Sequence, residues 1–188
     1  MIQAILLAGG ASTRFGSPKL LHLWTDDLTL GQVSAANLLA GVGNVLAVVR
    51  AGDAELAASL RDVGCEVLET ERATEGMGAS LAAGIECTRE AAGWVVALAD
   101  MPHIRRATIA AVADALRAGA TIAAPARPGS EHGHPVGFAA SLGAELMALT
   151  GDRGARAVVE RHRDALVIVP TDDPGIAIDI DRPADLGS

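Results

Sequence analysis

The chain has 188 residues, half of them hydrophobic, so one sizeable core can form without disulfide or metal staples. A formal net charge of −8 disfavours nucleic acid or an anionic membrane as the main partner. No apolar run reaches the roughly 18 residues of a membrane span, the amino terminus lacks the basic region of a signal peptide, and only two cysteines are present. We therefore expect a cytoplasmic protein with reduced thiols.

Short apolar runs alternate with longer segments of helical period in the first two thirds of the chain, which is typical of βαβ units. Strands are predicted at residues 3–7, 44–49, 66–68, 94–98 and 121–124. Helices are predicted between them at residues 29–40, 53–63, 78–89 and 105–118. Gly64 and Gly119 follow two of these helices, where helix ends favour glycine.

The last third of the chain is less regular, and residues 125–135, rich in proline, glycine and charge, predict a loop. Short strands are predicted at residues 135–138 and 165–169, helices at 142–149 and 153–162, and a weak alternation at 176–180. No repeat or linker divides the chain. We predict a single three-layer α/β domain over residues 1–188, with a mostly parallel, Rossmann-like sheet and helices on both faces.

The first predicted strand runs directly into a glycine-rich loop, which reads AGGASTRFG from Ala8 to Gly16, and Lys19 follows it. Glycine lets backbone amides approach an anion closely, and Arg14 and Lys19 would neutralise its charge. These features predict a polyphosphate site. The pattern fits neither the dinucleotide-binding nor the P-loop motif. A plain tight turn is the alternative, but it leaves both cations unexplained.

Three aspartates are candidate metal ligands. Asp100 follows a predicted strand, and ligands of parallel sheets bind outside the carboxyl ends of the strands. Asp179 and Asp181 alternate around Ile180, so an extended backbone places both carboxylates on one side. Carboxylates of this kind suit Mg²⁺, which binds one or two of them together with phosphate oxygens. A turn or helix-cap role is the alternative for Asp100.

Three further segments carry polar groups beside glycines. Near Ser80, glycines flank a predicted helix start and leave amides free for a polar ligand, with an ordinary cap as the alternative. His132 and His134 have no third ligand at a zinc spacing, so contact with an acidic substrate is favoured over a metal site, and a plain loop is the alternative. Arg153 and Arg156 open a predicted helix whose start would also receive an anion, or simply form a solvated face.

Taken in order, these motifs resemble those of the nucleotidyltransferases with the molybdenum cofactor guanylyltransferase fold, and most closely the molybdenum cofactor cytidylyltransferase branch. The matching segments are LAGGASTRFG with Lys19, GMGASL, ADMP, GHPV, GDRGAR and DIDRPADL. They run over nearly the whole chain. Gly9-Gly10, Glu131-His132 and the polar segment at 26–29 depart from that branch, which leaves the base and the acceptor open.

The resemblance implies a nucleotide-diphospho-sugar transferase fold with a nucleotide-binding part (1–124) and an acceptor-binding, metal-completing part (125–188). It implies Mg²⁺-dependent transfer of a nucleotide, with CTP favoured, to a phosphorylated pterin, the molybdenum cofactor, with release of pyrophosphate. Transfer from GTP, or to another acceptor, is the alternative. A non-catalytic nucleotide-binding regulator and a flavin- or nicotinamide-dependent oxidoreductase are alternatives of other classes. A molybdoenzyme or its chaperone is the expected protein partner of a monomer or weak homo-oligomer.

The resemblance also implies roles for individual residues. Nucleotide binding falls to Leu7, Ala8, Gly9, Gly10, Ser12, Arg14, Lys19, Gly78, Ser80 and Asp100. Among these, Arg14, Lys19 and Asp100 are the expected catalytic residues. Mg²⁺ is expected on Asp100 and Asp181, with Asp179 as the alternative ligand. His134 and Arg153 are expected to face the acceptor.

Overall fold

The computed structural model of the chain describes residues 1–10, 18–25 and 27–181. The predicted α/β domain is confirmed, because one seven-stranded sheet runs through the molecule and helices cover it. The strands are β1 (Ile2–Leu7), β2 (Val45–Arg50), β3 (Glu66–Thr70), β4 (Gly93–Leu98), β5 (Ile122–Ala126), β6 (Val136–Ala139) and β7 (Leu166–Pro170). The α-helices are α1 (Leu30–Val42), α2 (Ala54–Asp62), α3 (Met77–Cys87), α4 (Arg106–Arg117), α5 (Gly143–Met147) and α6 (Arg156–Arg161).

The sheet order is β3-β2-β1-β4-β6-β5-β7, and β6 alone among these strands runs antiparallel to its neighbours. The chain builds outward from β1 through β2 and β3, then returns to the other side of β1 with β4. Where the direction of strand addition reverses in this way, a crevice forms outside the carboxyl ends of the two central strands, β1 and β4. Those ends are level with each other, because Leu7 of β1 pairs with Leu98 of β4.

Strand β1 is buried on both faces, and its residues alternate between two cores. Ala4 and Leu6 pack with buried residues of α1, α2 and α4, whereas Ile5 and Leu7 pack with buried residues of α3, α5 and α6. Burial on both faces explains why the strand is apolar except at Gln3, which is only partly buried. The predicted placement of helices on both faces is confirmed. None of the helices among the described residues has the length and hydropathy needed to cross a membrane.

The two helices predicted in the last third of the chain are wrong at their ends. The segment predicted as a helix over 142–149 contains only the short α5, which ends at Met147 and is preceded by a 3₁₀ turn, Ala140–Leu142. The segment over 153–162 contains only one α-helix, α6, which begins at Arg156. Gly154 adopts positive φ, outside the right-handed helical region, so a continuous helix cannot begin at Arg153. Arg153 instead ends a 3₁₀ turn, Gly151–Arg153.

The weak alternation at 176–180 is also not a strand, because its first residues belong to a 3₁₀ turn, Pro174–Ala177. The fully buried carboxylate of Asp173 fixes this turn. It accepts hydrogen bonds from the Gly175 amide (2.9 Å), the Arg105 amide (2.8 Å) and the Thr108 hydroxyl (2.8 Å). Charged acceptors form strong hydrogen bonds. The turn is therefore tied to the start of α4, and the chain that follows it returns toward β4.

Candidate functional site

A cavity of about 390 Å³ opens at the carboxyl ends of β1, β2 and β4 and at the start of α3. Most of the described residues that the sequence assigns to nucleotide binding line it. These residues are Leu7, Ala8, Gly9, Gly10, Lys19, Ser80 and Asp100. Gly78 lies beneath the wall and not in it, and Ser12 and Arg14 fall outside the described residues. The wall also contains Arg50 and Asp152, which sequence reasoning did not assign.

Lys19 lies between two carboxylates at one end of this cavity. Its Nζ atom is 2.9 Å from Asp100 Oδ2 and 3.5 Å from Asp181 Oδ1. Lys19 is the single lysine of the chain, and only 8% of the residue is exposed. The structure thus brings together the predicted phosphate-binding cation and two of the three predicted metal ligands. Burying an ammonium group is costly unless opposite charges compensate it, and these two carboxylates provide that compensation.

Asp100 has bonding capacity left over. Its Oδ1 atom is buried and has no hydrogen-bond partner among the described residues. A buried acceptor without a partner costs free energy, which a bound cation would recover. In the described part of the chain, no group of three or more His, Cys, Asp or Glu side chains is placed to hold a metal ion. The donor set fits Mg²⁺, which completes its shell with water and substrate phosphate, better than a closed zinc site.

The segment carrying Asp179 and Asp181 is anchored beside β4. The amide of Ile180 donates to the carbonyl of Asp100 at 2.9 Å, and its side chain is fully buried. Asp181 thereby reaches Lys19, while Asp179 is exposed. Asp179 and Asp181, which are far from Lys19 and Asp100 in the sequence, are in this way held beside the carboxyl end of β4.

His134 lies just before β6, on the side of Asp100 away from β1. Burial lowers the pKa of its imidazole. The negative charges of Asp100 and Asp179 act in the opposite direction, whereas the nearby His132 lowers the pKa further. The neutral ring therefore predominates at neutral pH. Its Nδ1 atom is buried without a hydrogen-bond partner in the described part of the chain. A neutral imidazole can donate or accept one hydrogen bond at this position.

The start of α3 forms another wall of the cavity. The Ser80 hydroxyl donates to the Gly76 carbonyl at 3.0 Å, so it closes the first helical turn. A Cβ at Gly78 would lie 2.8 Å from the carbonyl oxygens of Thr150 and Gly151, and one at Gly76 would collide with Asp152. These glycines are needed for the close approach of the loop at 150–152. That approach brings Asp152 into the wall and leaves the neighbouring Arg153 exposed.

Gly9→Ala is expected to destabilise the protein by about 1–3 kcal/mol, because overpacked methyl groups force rearrangement. The added Cβ would lie 2.9 Å from the Cβ of Ala73, a residue only 3% exposed and attached directly to the backbone. Gly10→Ala is the matched control, since no atom of the described residues lies within 4 Å of its added Cβ. Thermal denaturation of both variants measures the difference. Equal melting temperatures for Gly9→Ala and the unmodified protein would contradict this packing.

Comparison with known proteins identifies the family. Residues 4–175 match the sequence profile of the MobA-like NTP transferase domain. The bifunctional protein GlmU of Xanthobacter autotrophicus is 33% identical over 168 residues, which is 86% of this chain and 37% of GlmU. The chain therefore spans little more than a third of the length of the curated relatives it matches.

Solved structures show the same fold. Rv0371c of Mycobacterium tuberculosis is 26% identical, with a TM-score of 0.84 over 98% of this chain and 94% of its own. Its complex with manganese gives 22% identity and a TM-score of 0.80 over 98% and 95% of the two chains. A nucleotidyl transferase of Methanothermobacter gives 23% identity and a TM-score of 0.81 over 98% and 94%. Because the profile match covers most of its length, the chain belongs to the family of MobA-like NTP transferase domains.

Proposed function

We propose that the chain is a metal-dependent nucleotidyltransferase, which moves the nucleotide of a nucleoside triphosphate onto a phosphorylated acceptor and releases pyrophosphate. The observation that carries this proposal is the contact of Lys19 with Asp100 and Asp181 at one end of a glycine-lined cavity. Family membership supports it. This chemistry depends on positioning and charge neutralisation more than on covalent help from the protein.

The loop after β1 would hold the triphosphate. Gly9 and Gly10 line the cavity without side chains, so their backbone can approach phosphate oxygens closely. Lys19 would offset the negative charge that grows on the leaving pyrophosphate, where a fixed cation has its largest effect. We assign Ser12 and Arg14 to the same task from their place in the loop sequence.

Asp100 and Asp181 would hold Mg²⁺, with Asp179 as the alternative ligand. The buried, unpartnered Oδ1 of Asp100 is the atom that best fits a cation. A bound Mg²⁺ would neutralise phosphate oxygens and orient them for displacement. The ammonium of Lys19 provides a positive charge between the same two carboxylates. Manganese in a complex of Rv0371c supports a divalent cation in this fold.

The acceptor would lie on the side of β6 and the following segments. His134, neutral and with a ring nitrogen that has no partner among the described residues, would meet the acceptor, and Arg153 would bind its phosphate. Residues 1–124 would then bind the nucleotide, and residues 125–188 would complete the metal site and bind the acceptor. The ordered motifs favour CTP and a pterin phosphate, the molybdenum cofactor. GTP as the nucleotide donor is one alternative. Another phosphorylated acceptor is a second, which the similarity to GlmU suggests.

Pyrophosphate release tests this function. Each of the four nucleoside triphosphates is incubated with Mg²⁺ and molybdopterin, and in parallel with other phosphomonoesters. We expect release that requires an acceptor and is fastest with CTP and molybdopterin. Faster release with GTP would identify a guanylyltransferase. Tight nucleotide binding with no release under any condition would identify the non-catalytic regulator and contradict the proposal.

A further inference from the structure

Arg50 is the last residue of β2 and lines the same cavity as Lys19 and Asp100. Its Nη2 atom donates to the carbonyl of Gly9 at 3.2 Å. Its Nε atom is buried and lacks a hydrogen-bond partner among the described residues. Arg50 also takes part in none of the ion pairs between described residues. The described residues therefore leave the charge of this guanidinium group, and one of its donors, without a partner in the cavity wall.

The ligand that completes this group must be a hydrogen-bond acceptor. A guanidinium has five N–H donors and no acceptor, and leaving a buried donor unpaired costs free energy. The bond to Gly9 fixes the group against the loop that would bind phosphate. Arg50 is thus held in place before a ligand arrives, and its remaining donors are available to that ligand.

The position of Arg50 indicates which part of a nucleotide it meets. Strand β1 lies between β2 and β4, and neighbouring strands are about 4.8 Å apart, so the ends of β2 and β4 are separated by about 10 Å. Lys19 and Asp100 define the phosphate end of the cavity, on the β4 side. The cavity wall also contains the apolar side chains of Ala73 and Met77, which suit the flat face of a base. The nucleobase would therefore lie at the Arg50 end.

We propose that Arg50 determines base specificity, by donating from Nε and a neighbouring terminal nitrogen to two adjacent acceptors on the base edge. Cytosine has such a pair in O2 and N3, and guanine has one in O6 and N7. Adenine places an amino group beside N7, and uracil places an N–H between its two carbonyl oxygens. The site would then select CTP or GTP over ATP and UTP. This inference rests on the proposed nucleotide-binding function.

Calorimetric titration tests the inference with the four Mg-nucleoside triphosphates in the absence of acceptor. The unmodified protein is expected to bind CTP or GTP at least about tenfold more tightly than ATP and UTP. Arg50→Met is expected to weaken the preferred nucleotide by about 10–100-fold, the range for one lost bidentate contact to a base. ATP and UTP should change little. The CTP and GTP titrations show which of the two bases is read.

Two variants make the result specific. Arg50→Lys keeps the charge but not the two-donor fork, and is expected to lose the base preference as Arg50→Met does. Arg61→Met is the matched control, because Arg61 lies on α2 and pairs with Glu69 at the surface. Its affinities should match those of the unmodified protein. Thermal denaturation confirms that each variant is folded.

Several results would overturn the inference and leave nucleotidyl transfer intact. Equal weakening of all four nucleotides by Arg50→Met would place Arg50 at ribose or phosphate, or make it a support for Gly9 alone. Base preference retained in either Arg50 variant would also overturn it, as would a preference of the unmodified protein for ATP or UTP. Failure of the unmodified protein to bind any of the four nucleotides would instead contradict the proposed function itself.

Discussion

Asp100→Asn is expected to lower the rate of nucleotidyl transfer by about 10²–10³-fold, equivalent to roughly 3–4 kcal/mol, as when a single charge-stabilising group is lost from a transition state. The asparagine keeps the size of the side chain but removes the charge beside Lys19 and the oxygen best placed for a cation. The protein should stay folded, because Asp181 still contacts Lys19. Initial rates of pyrophosphate release at saturating nucleotide and Mg²⁺ measure the effect.

The control for this substitution is Asp114→Asn on α4. Asp114 is exposed and pairs with Arg117 within its own helix, at 2.7 Å, and such surface pairs contribute little. Its rate should equal that of the unmodified protein. A second readout is the rise in melting temperature on adding Mn²⁺ with nucleotide, since ligands that bind the folded state stabilise it. Asp100→Asn should lose this rise. Unchanged turnover in Asp100→Asn would show that Asp100 is not the metal ligand.

Lys19→Met is expected to have opposite effects on turnover and on metal binding. Turnover should fall by about 10²–10³-fold, because the cation held between the two carboxylates would no longer neutralise the leaving pyrophosphate. Metal affinity without nucleotide should rise, because the ammonium of Lys19 now lies between Asp100 and Asp181. Without it, the negative charge of both carboxylates would be fully available to attract the metal ion. Steady-state rates measure the first effect, and calorimetric titration with Mn²⁺ measures the second.

Lys19 can also be probed directly. Because it is the single lysine of the chain, an amine-reactive reagent has only Lys19 and the terminal amine to modify. Mg-nucleotide should protect Lys19 from modification, as mass spectrometry of the peptides would show. Lys19→Arg, which keeps the charge, should retain more activity than Lys19→Met. Full activity in Lys19→Met would contradict the role of Lys19 in charge neutralisation.

The sequence predicted the centre of the fold better than its last third. Strands such as β1 and β4 are buried on both faces and read as nearly continuous apolar runs, which in β1 only Gln3 interrupts. Gly64 and Gly119 adopt positive φ where the sequence predicts helix ends. In the last third, Gly154 also adopts positive φ but lies inside the segment 153–162, which has an apparent helical period. Periodicity does not show which glycines leave the helical region, so that segment was predicted as one helix.

The site is predictable where a local pattern marks it. Asp100 lies 81 residues and Asp181 lies 162 residues after Lys19. Lys19 and Asp100 follow from the expectation that ligands bind at the carboxyl ends of parallel strands, whereas Asp181 follows from its alternation with Asp179 around Ile180. Arg50 also ends a parallel strand, β2, but no motif surrounds it, so the sequence did not assign it to the site. Asp152 enters the cavity wall through close packing at Gly76. Contacts of that kind depend on how loops meet in space, which no local pattern shows.

The fate of labelled nucleotide tests nucleotidyl transfer most directly. The preferred nucleoside triphosphate, radiolabelled either at the α- or at the γ-phosphorus, is incubated with Mg²⁺ and the acceptor, and the products are separated. Nucleotidyl transfer predicts that the α-label appears on the acceptor and the γ-label in pyrophosphate, and that both products are lost in Asp100→Asn. Recovery of the γ-label on the acceptor, or as orthophosphate, would contradict it and indicate a kinase or a phosphatase.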